Sequence, residues 1–109
     1  MSETIIVLTN LPDAPSAQAL ATALVTQRLA ACVNILAPCH SVYRWEGEIE
    51  TTQEIPLLIK SSRGRYPALQ AAIRANHPYE LPEIVAVPVE LGLAGYLDWV
   101  AAESRDIPG

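Results

Sequence analysis

The stretch that decides the fold is His40-Ser41-Val42-Tyr43-Arg44-Trp45-Glu46-Gly47-Glu48-Ile49-Glu50-Thr51-Thr52-Gln53-Glu54-Ile55. Two runs rich in β-branched and aromatic residues flank a Glu-Gly pair, the signature of a hairpin with its tip near Gly47. Strand character extends beyond both ends, back through Cys32-Val33-Asn34-Ile35 across an interruption at Pro38, and forward through Pro56-Leu57-Leu58-Ile59-Lys60. Each arm is then about 13 residues, roughly 43 Å at ~3.3 Å per residue. A compact domain of this length has a radius of gyration near ~13 Å, hence a body about 34 Å across. The arms are expected to overshoot that body. Overshooting strands leave unpaired backbone edges that a folded protein must protect. Pro38 and the glutamates near the tip give partial protection, and pairing with a second copy of the chain gives more.

Working outward, Thr4-Ile5-Ile6-Val7-Leu8-Thr9 is apolar on both faces and reads as a central strand. Asn10-Leu11-Pro12-Asp13 reads as a turn, with Asp13 or Ser16 as cap of a following helix. That helix is expected over residues 15–31, with Ala17, Leu20, Ala21 and Leu24 as its apolar stripe, widened by Val25 and Leu29. Beyond the hairpin, Tyr66, Leu69, Ala72 and Ile73 hold helical spacing with Pro67 in the first turn, and Asn76-His77-Pro78 stops the helix. A loop with two prolines leads to a strand over residues 84–89, which Pro88 places at a sheet edge or on a bulge. After Gly92, the spacing of Leu93, Tyr96, Leu97, Val100 and Ala101 predicts a last helix. The order βαββαβ plus a C-terminal helix predicts an α+β, ferredoxin-like split βαβ fold. Its sheet has four antiparallel strands, two helices cover one face, and the β2–β3 hairpin protrudes.

Composition bounds the rest. At 109 residues the chain is read as one domain, 1–109, and with half its residues apolar and 17% charged it is not a disordered chain. Sixteen alanines and no phenylalanine make a core of small residues, and the scarcity of polar groups directs some apolar surface against another subunit. The formal net charge is −5 and no basic stripe exists, which argues against a nucleic-acid partner. No apolar run approaches the ~18 residues needed to span a bilayer, so no membrane segment is expected. Met1-Ser2-Glu3-Thr4 carries no positive leader, and Cys32 and Cys39 read as free thiols, so the expected location is the cytoplasm.

No phosphate-binding glycine loop, nucleophile elbow or zinc-protease motif occurs, and no nucleophile stands beside a base, so no enzymatic activity is expected. The densest polar segment is His77-Pro78-Tyr79-Glu80-Leu81-Pro82-Glu83. An imidazole and a carboxylate on a proline-stiffened loop suit a divalent cation. The alternative is that His77 caps the preceding helix with its ring donors on unpaired carbonyls. Cys32 reads as a buried thiol, Tyr43 and Trp45 as interface packing or a stacking platform, and Lys60 as the charged end of an apolar strand. Glu46, Glu48, Glu50 and Glu54 read as a solvated acidic face.

Taken together, Leu29-Ala30-Ala31-Cys32-Val33-Asn34-Ile35, Ser41-Val42-Tyr43-Arg44-Trp45-Glu46-Gly47-Glu48-Ile49, Leu58-Ile59-Lys60-Ser61, the His77–Glu83 block with Ile84, and Tyr96-Leu97-Asp98-Trp99 resemble the CutA divalent-cation-tolerance family over nearly the whole chain. The resemblance implies a ferredoxin-like protomer similar to the PII signalling proteins, a homotrimer joined through the long hairpins, and binding of copper or another divalent metal ion without catalysis. It carries metal ligation onto His77, with Glu83 as acidic partner. Family members bear a Cys where this chain has Thr9, and some have a second His where it has Asn76, so metal binding is expected to be weaker or differently composed. The competing expectation is a PII-like sensor that holds a small metabolite or a protein partner in an inter-subunit cleft around Cys32, Tyr43, Trp45, Lys60, Tyr79 and Glu83.

Overall fold

The computed structural model describes residues 3–106. Its first strand, β1 (Thr4–Leu11), runs through the sheet interior, antiparallel to β4 (Glu48–Ser62) on one side and to β5 (Val85–Pro88) on the other. The far side of β4 carries β2 (Cys32–Ile35) and β3 (Cys39–Trp45), both antiparallel to it. The sheet thus reads β2-β4-β1-β5, with β3 continuing along β4. Three helices complete the chain: α1 (Ala14–Thr26), α2 (Tyr66–Asn76) and α3 (Ala94–Glu103). This is the ferredoxin-like order, and Pro88 lies on the edge strand.

The sheet has five strands where the sequence predicts four. The difference lies at Leu36-Ala37-Pro38, where Leu36 donates its N–H to the Pro56 carbonyl at 2.9 Å and the ladder then breaks. Ile35 faces Leu57, yet Cys39 faces Glu54, so one strand spends a residue more than its partner over the gap. Such a bulge reverses which side chains share a face. Beyond it, odd-numbered residues of β3 stand with even-numbered residues of β4: Tyr43 beside Glu50 and Trp45 beside Glu48. The tip is a two-residue turn with both Glu46 (φ 50) and Gly47 (φ 82) left-handed, the backbone that matches strand twist in a tight hairpin.

The core lies between one sheet face and the helices α1 and α2. Val7, Leu11, Leu57 and Ile59 point into it, and Ala17, Leu20, Leu24, Leu69 and Ile73 meet them. Each fully buried Leu or Ile contributes about 1.5–3 kcal/mol relative to exposure. On the opposite face, Ile6, Leu8 and Leu58 are only half-buried, and Val85 and Val87 on β5 are exposed. The molecule extends 44 × 31 × 22 Å, and the long axis reflects the overshooting arm.

Helix α1 stops five residues short of the expected Ala31. Asp13 caps its start by accepting the Ser16 N–H at 2.8 Å. At its end, Arg28 takes a left-handed φ of 58 while its N–H reaches the Val25 carbonyl and the Leu29 N–H the Leu24 carbonyl, both at 3.0 Å. That is the helix-closing motif in which glycine is the usual left-handed residue. Arginine is strained there, but its guanidinium donates to the Ala102 carbonyl at 2.9 Å and pairs with Glu103 at 3.3 Å. One residue thereby ends α1 and ties down the last turn of α3.

Candidate functional site

The break at Pro78 creates the centre of the site. A residue before proline is held out of the helical region, and His77 accordingly takes φ −95, ψ 133 at the end of α2. Its buried ring leaves the helix axis and reaches β1, where Nε2 donates to the Asn10 carbonyl at 2.6 Å. Nδ1 accepts the N–H of Tyr79 at 3.1 Å. These two partners assign a neutral imidazole with its proton on Nε2. The Tyr79 ring packs on it, with centroids 4.7 Å apart. His77 therefore caps its own helix only through its backbone N–H, on the Arg74 carbonyl at 3.4 Å, while its ring clamps the end of α2 to β1.

Asn10 completes the clamp by donating its side-chain amide to Glu83 at 3.2 Å. His77 and Glu83, paired on sequence grounds, thus converge on one residue that the sequence reading placed in the turn before α1 and that the structure places within β1. In front of this clamp, on the sheet face away from α1 and α2, opens a cavity of about 620 Å³. Its floor is the β3–β4 face with Tyr43, Trp45 and Glu54, and its roof is the loop through Pro78, Tyr79 and Leu81. Tyr43 is fixed by a 2.9 Å hydrogen bond between its hydroxyl and that of Thr52. Burial first, then the neighbouring Glu54 carboxylate, push the Tyr79 phenol up to about 12, so it remains a hydrogen-bond donor throughout the neutral range.

One expectation needs correction. Glu54 is not part of a solvated face but is 7% exposed. The residues expected around an inter-subunit cleft fall in two places on one protomer. Tyr43, Trp45, Tyr79 and Glu83 line the cavity, whereas Cys32 and Lys60 face each other across the β2–β4 ladder, away from it. There Lys60 donates to the Asn34 side chain. Cys32 sits near the phenol of Tyr96 on α3, which burial and then that thiol raise above its ordinary pKa. Asn10 and Glu54 are the site residues that the sequence reading missed. Their signals were a polar residue at the end of an apolar strand and one carboxylate among several in an alternating arm.

As arranged, these side chains do not fit a bound divalent cation. Both ring nitrogens of His77 are engaged, and Glu83 is held by Asn10. Asn76 turns its amide back to the Ala72 carbonyl at 2.8 Å. The Thr9 hydroxyl is buried without a partner. Among the described residues, no three His, Cys, Asp or Glu side chains cluster closely enough to hold a metal ion.

A ferredoxin-like sheet with a protruding arm places the chain among small α+β proteins. The profile described as CutA1 divalent ion tolerance protein matches residues 5–103. A "Divalent-cation tolerance protein CutA" from Thermus thermophilus is 46% identical over 95 residues, 87% of this chain and 92% of the relative. The crystal structure of CutA from Xylella fastidiosa superposes with a TM-score of 0.92 at 46% identity, covering 95% of this chain and all of that one. A structure titled as the periplasmic divalent cation tolerance protein CutA from Archaeoglobus fulgidus gives 0.90 at 32% identity, covering 94% and 99%. The chain belongs to the CutA divalent-cation tolerance family.

Proposed function

We propose that this chain is a homotrimeric, PII-like binding protein of the divalent-cation tolerance family that takes a small ligand in the cavity between its arm and the His77–Glu83 loop. The observation that carries the reading is the cavity itself, whose volume falls in the ~300–1,000 Å³ range of small-molecule sites. It is a binding role, without catalysis. Assembly is supported by the apolar sheet face of Ile6, Leu8 and Leu58 and by β5, an open edge with Val85 48% and Val87 45% exposed. Light scattering is expected to give three times the 11.8 kDa chain mass, and a monomer at micromolar concentration excludes the trimer. The two free thiols fit a reducing cytoplasm, which fractionation of the source cells checks.

A second reading is direct ligation of copper or another divalent ion by His77 and Glu83, which share Asn10 as a partner through bonds that a metal ion has to displace. It requires that Nδ1 of His77 give up the Tyr79 N–H. Calorimetric titration of metal-free protein with Cu(II) and Zn(II) decides it. Ligation predicts that His77→Ala and Glu83→Gln each weaken binding at least about tenfold. Identical isotherms for wild type and both variants remove these residues as ligands.

A further inference from the structure

The cavity wall is chemically one-sided. Its aromatic side chains are Tyr43, Trp45 and Tyr79, its charged ones are all carboxylates, and among the described residues of the protomer no Lys, Arg or His lines it. The bulge produces this combination. Without the extra residue at Leu36-Ala37-Pro38, Tyr43 and Trp45 would stand on the Ile49 side of the hairpin; with it, they share the face of Glu54.

Glu54 is the decisive group. It is more than nine-tenths shielded, and neither ion pair found among the described residues includes it. A carboxylate buried to that degree needs a counter-charge or several donors. The Tyr79 phenol is the neutral donor beside it, and no cationic side chain of the described residues lines the cavity. Three aromatic rings around a shielded carboxylate with no cationic partner in the protomer are the means by which proteins hold alkylammonium groups, with the cation within about 6 Å of a ring centroid. A bare metal ion gains nothing comparable from the rings and prefers a shell of oxygen donors and water. The cavity volume of about 620 Å³ also exceeds what a single ion requires.

We infer that the cavity binds an organic ammonium ion, a primary or quaternary alkylamine of a few carbon atoms, with its cationic group on Glu54 and against Tyr43 and Trp45. The inference rests on the cavity being a small-ligand site and adds the chemistry of the ligand. The test follows Trp45 fluorescence in a Trp99→Phe background, since Trp99 lies outside the cavity on α3. The probes are choline, putrescine, 3,3-dimethylbutan-1-ol (the uncharged isostere of choline) and anilinonaphthalene sulfonate.

Saturable responses to choline and putrescine, none to the alcohol, and weakening of about tenfold or more in Glu54→Gln and Tyr43→Leu support the inference. Tyr43 lies on the exposed arm, so that variant keeps the test valid if Glu54→Gln unfolds. An alcohol that binds as well as choline, or a response to the sulfonate alone, overturns the ammonium assignment and leaves the cavity a ligand site. No response to any probe up to about 10 mM overturns both.

Discussion

Strand β4 passes through two different environments within 15 residues. At its inner end Leu57 and Ile59 are fully shielded beneath α1 and α2, while Ile49 near the tip is 60% exposed and Val42 across from that region 68%. The residue types are the same, so the difference is one of coverage and not of composition. The body closes its own core from two helices and one sheet face. The arm displays apolar and aromatic side chains that nothing in the protomer covers. Stability of the protomer is therefore concentrated in the body, and the arm is left free for the association and ligand binding proposed above.

The largest effect that tests this contrast comes from equal truncations in the two regions. Leu57→Ala is expected to cost about 2–5 kcal/mol in urea unfolding, because the site is enclosed and cannot collapse. Ile49→Ala is expected to stay within about 0.5 kcal/mol for the dissociated protomer, and to lower the measured mass or raise the concentration at which the assembly dissociates. Equal losses from both substitutions, independent of protein concentration, would break the contrast.

The clamp at the seam between the regions comes next. His77→Ala removes the bonds to the Asn10 carbonyl and the Tyr79 N–H and leaves buried groups unpaired, an expected loss of about 1–3 kcal/mol in thermal melting. If the ring instead waits for a metal, the melting point of metal-free protein stays unchanged. Thr9→Val should act in the opposite direction, since the Thr9 hydroxyl is buried with no partner and valine keeps its shape. A gain of up to about 1 kcal/mol is expected, and a loss shows that the hydroxyl has a partner in the assembled protein.

Most of the body was legible because its signals are local. The apolar run of β1, the helical spacing of Leu69 and Ile73 and the proline at the β5 edge each fix one element. What escaped depends on register. One extra residue at Leu36-Ala37-Pro38 changes no composition, yet it decides whether Tyr43 shares a face with Glu50 or with Ile49. The burial of Glu54 follows from that register and from a roof loop arriving from residues 78–83. The early end of α1 escaped for a related reason. Arg28 occupies a position that usually announces itself as glycine, and only its long-range contacts to α3 account for the exception. His77 was singled out, but one of its two ring partners, the Asn10 carbonyl, lies on β1, far away in sequence.

The smallest expected effect concerns the cavity's own donor. Burial and the Glu54 carboxylate raise the Tyr79 phenol to about 12 from an ordinary value near 10.0. The folded state therefore favours the neutral phenol. That contribution is complete below about pH 10 and is lost as the pH climbs toward 12, because the unfolded chain releases its proton first. Thermal midpoints of wild type should fall more steeply than those of Tyr79→Phe across that window, with parallel behaviour below it. Phenolate absorbance near 295 nm should show one of the four tyrosines titrating with a midpoint near 12, and that component should vanish in Tyr79→Phe. Tyr96 rises too, from burial and Cys32, so the assignment needs the variant and not the spectrum alone. Glu54→Gln sharpens it further: removing the charge while keeping the burial should lower the Tyr79 midpoint only in part, since burial is the larger cause. A return to an ordinary value in that variant would mean that the carboxylate, and not the shielded setting, governs the floor of the cavity.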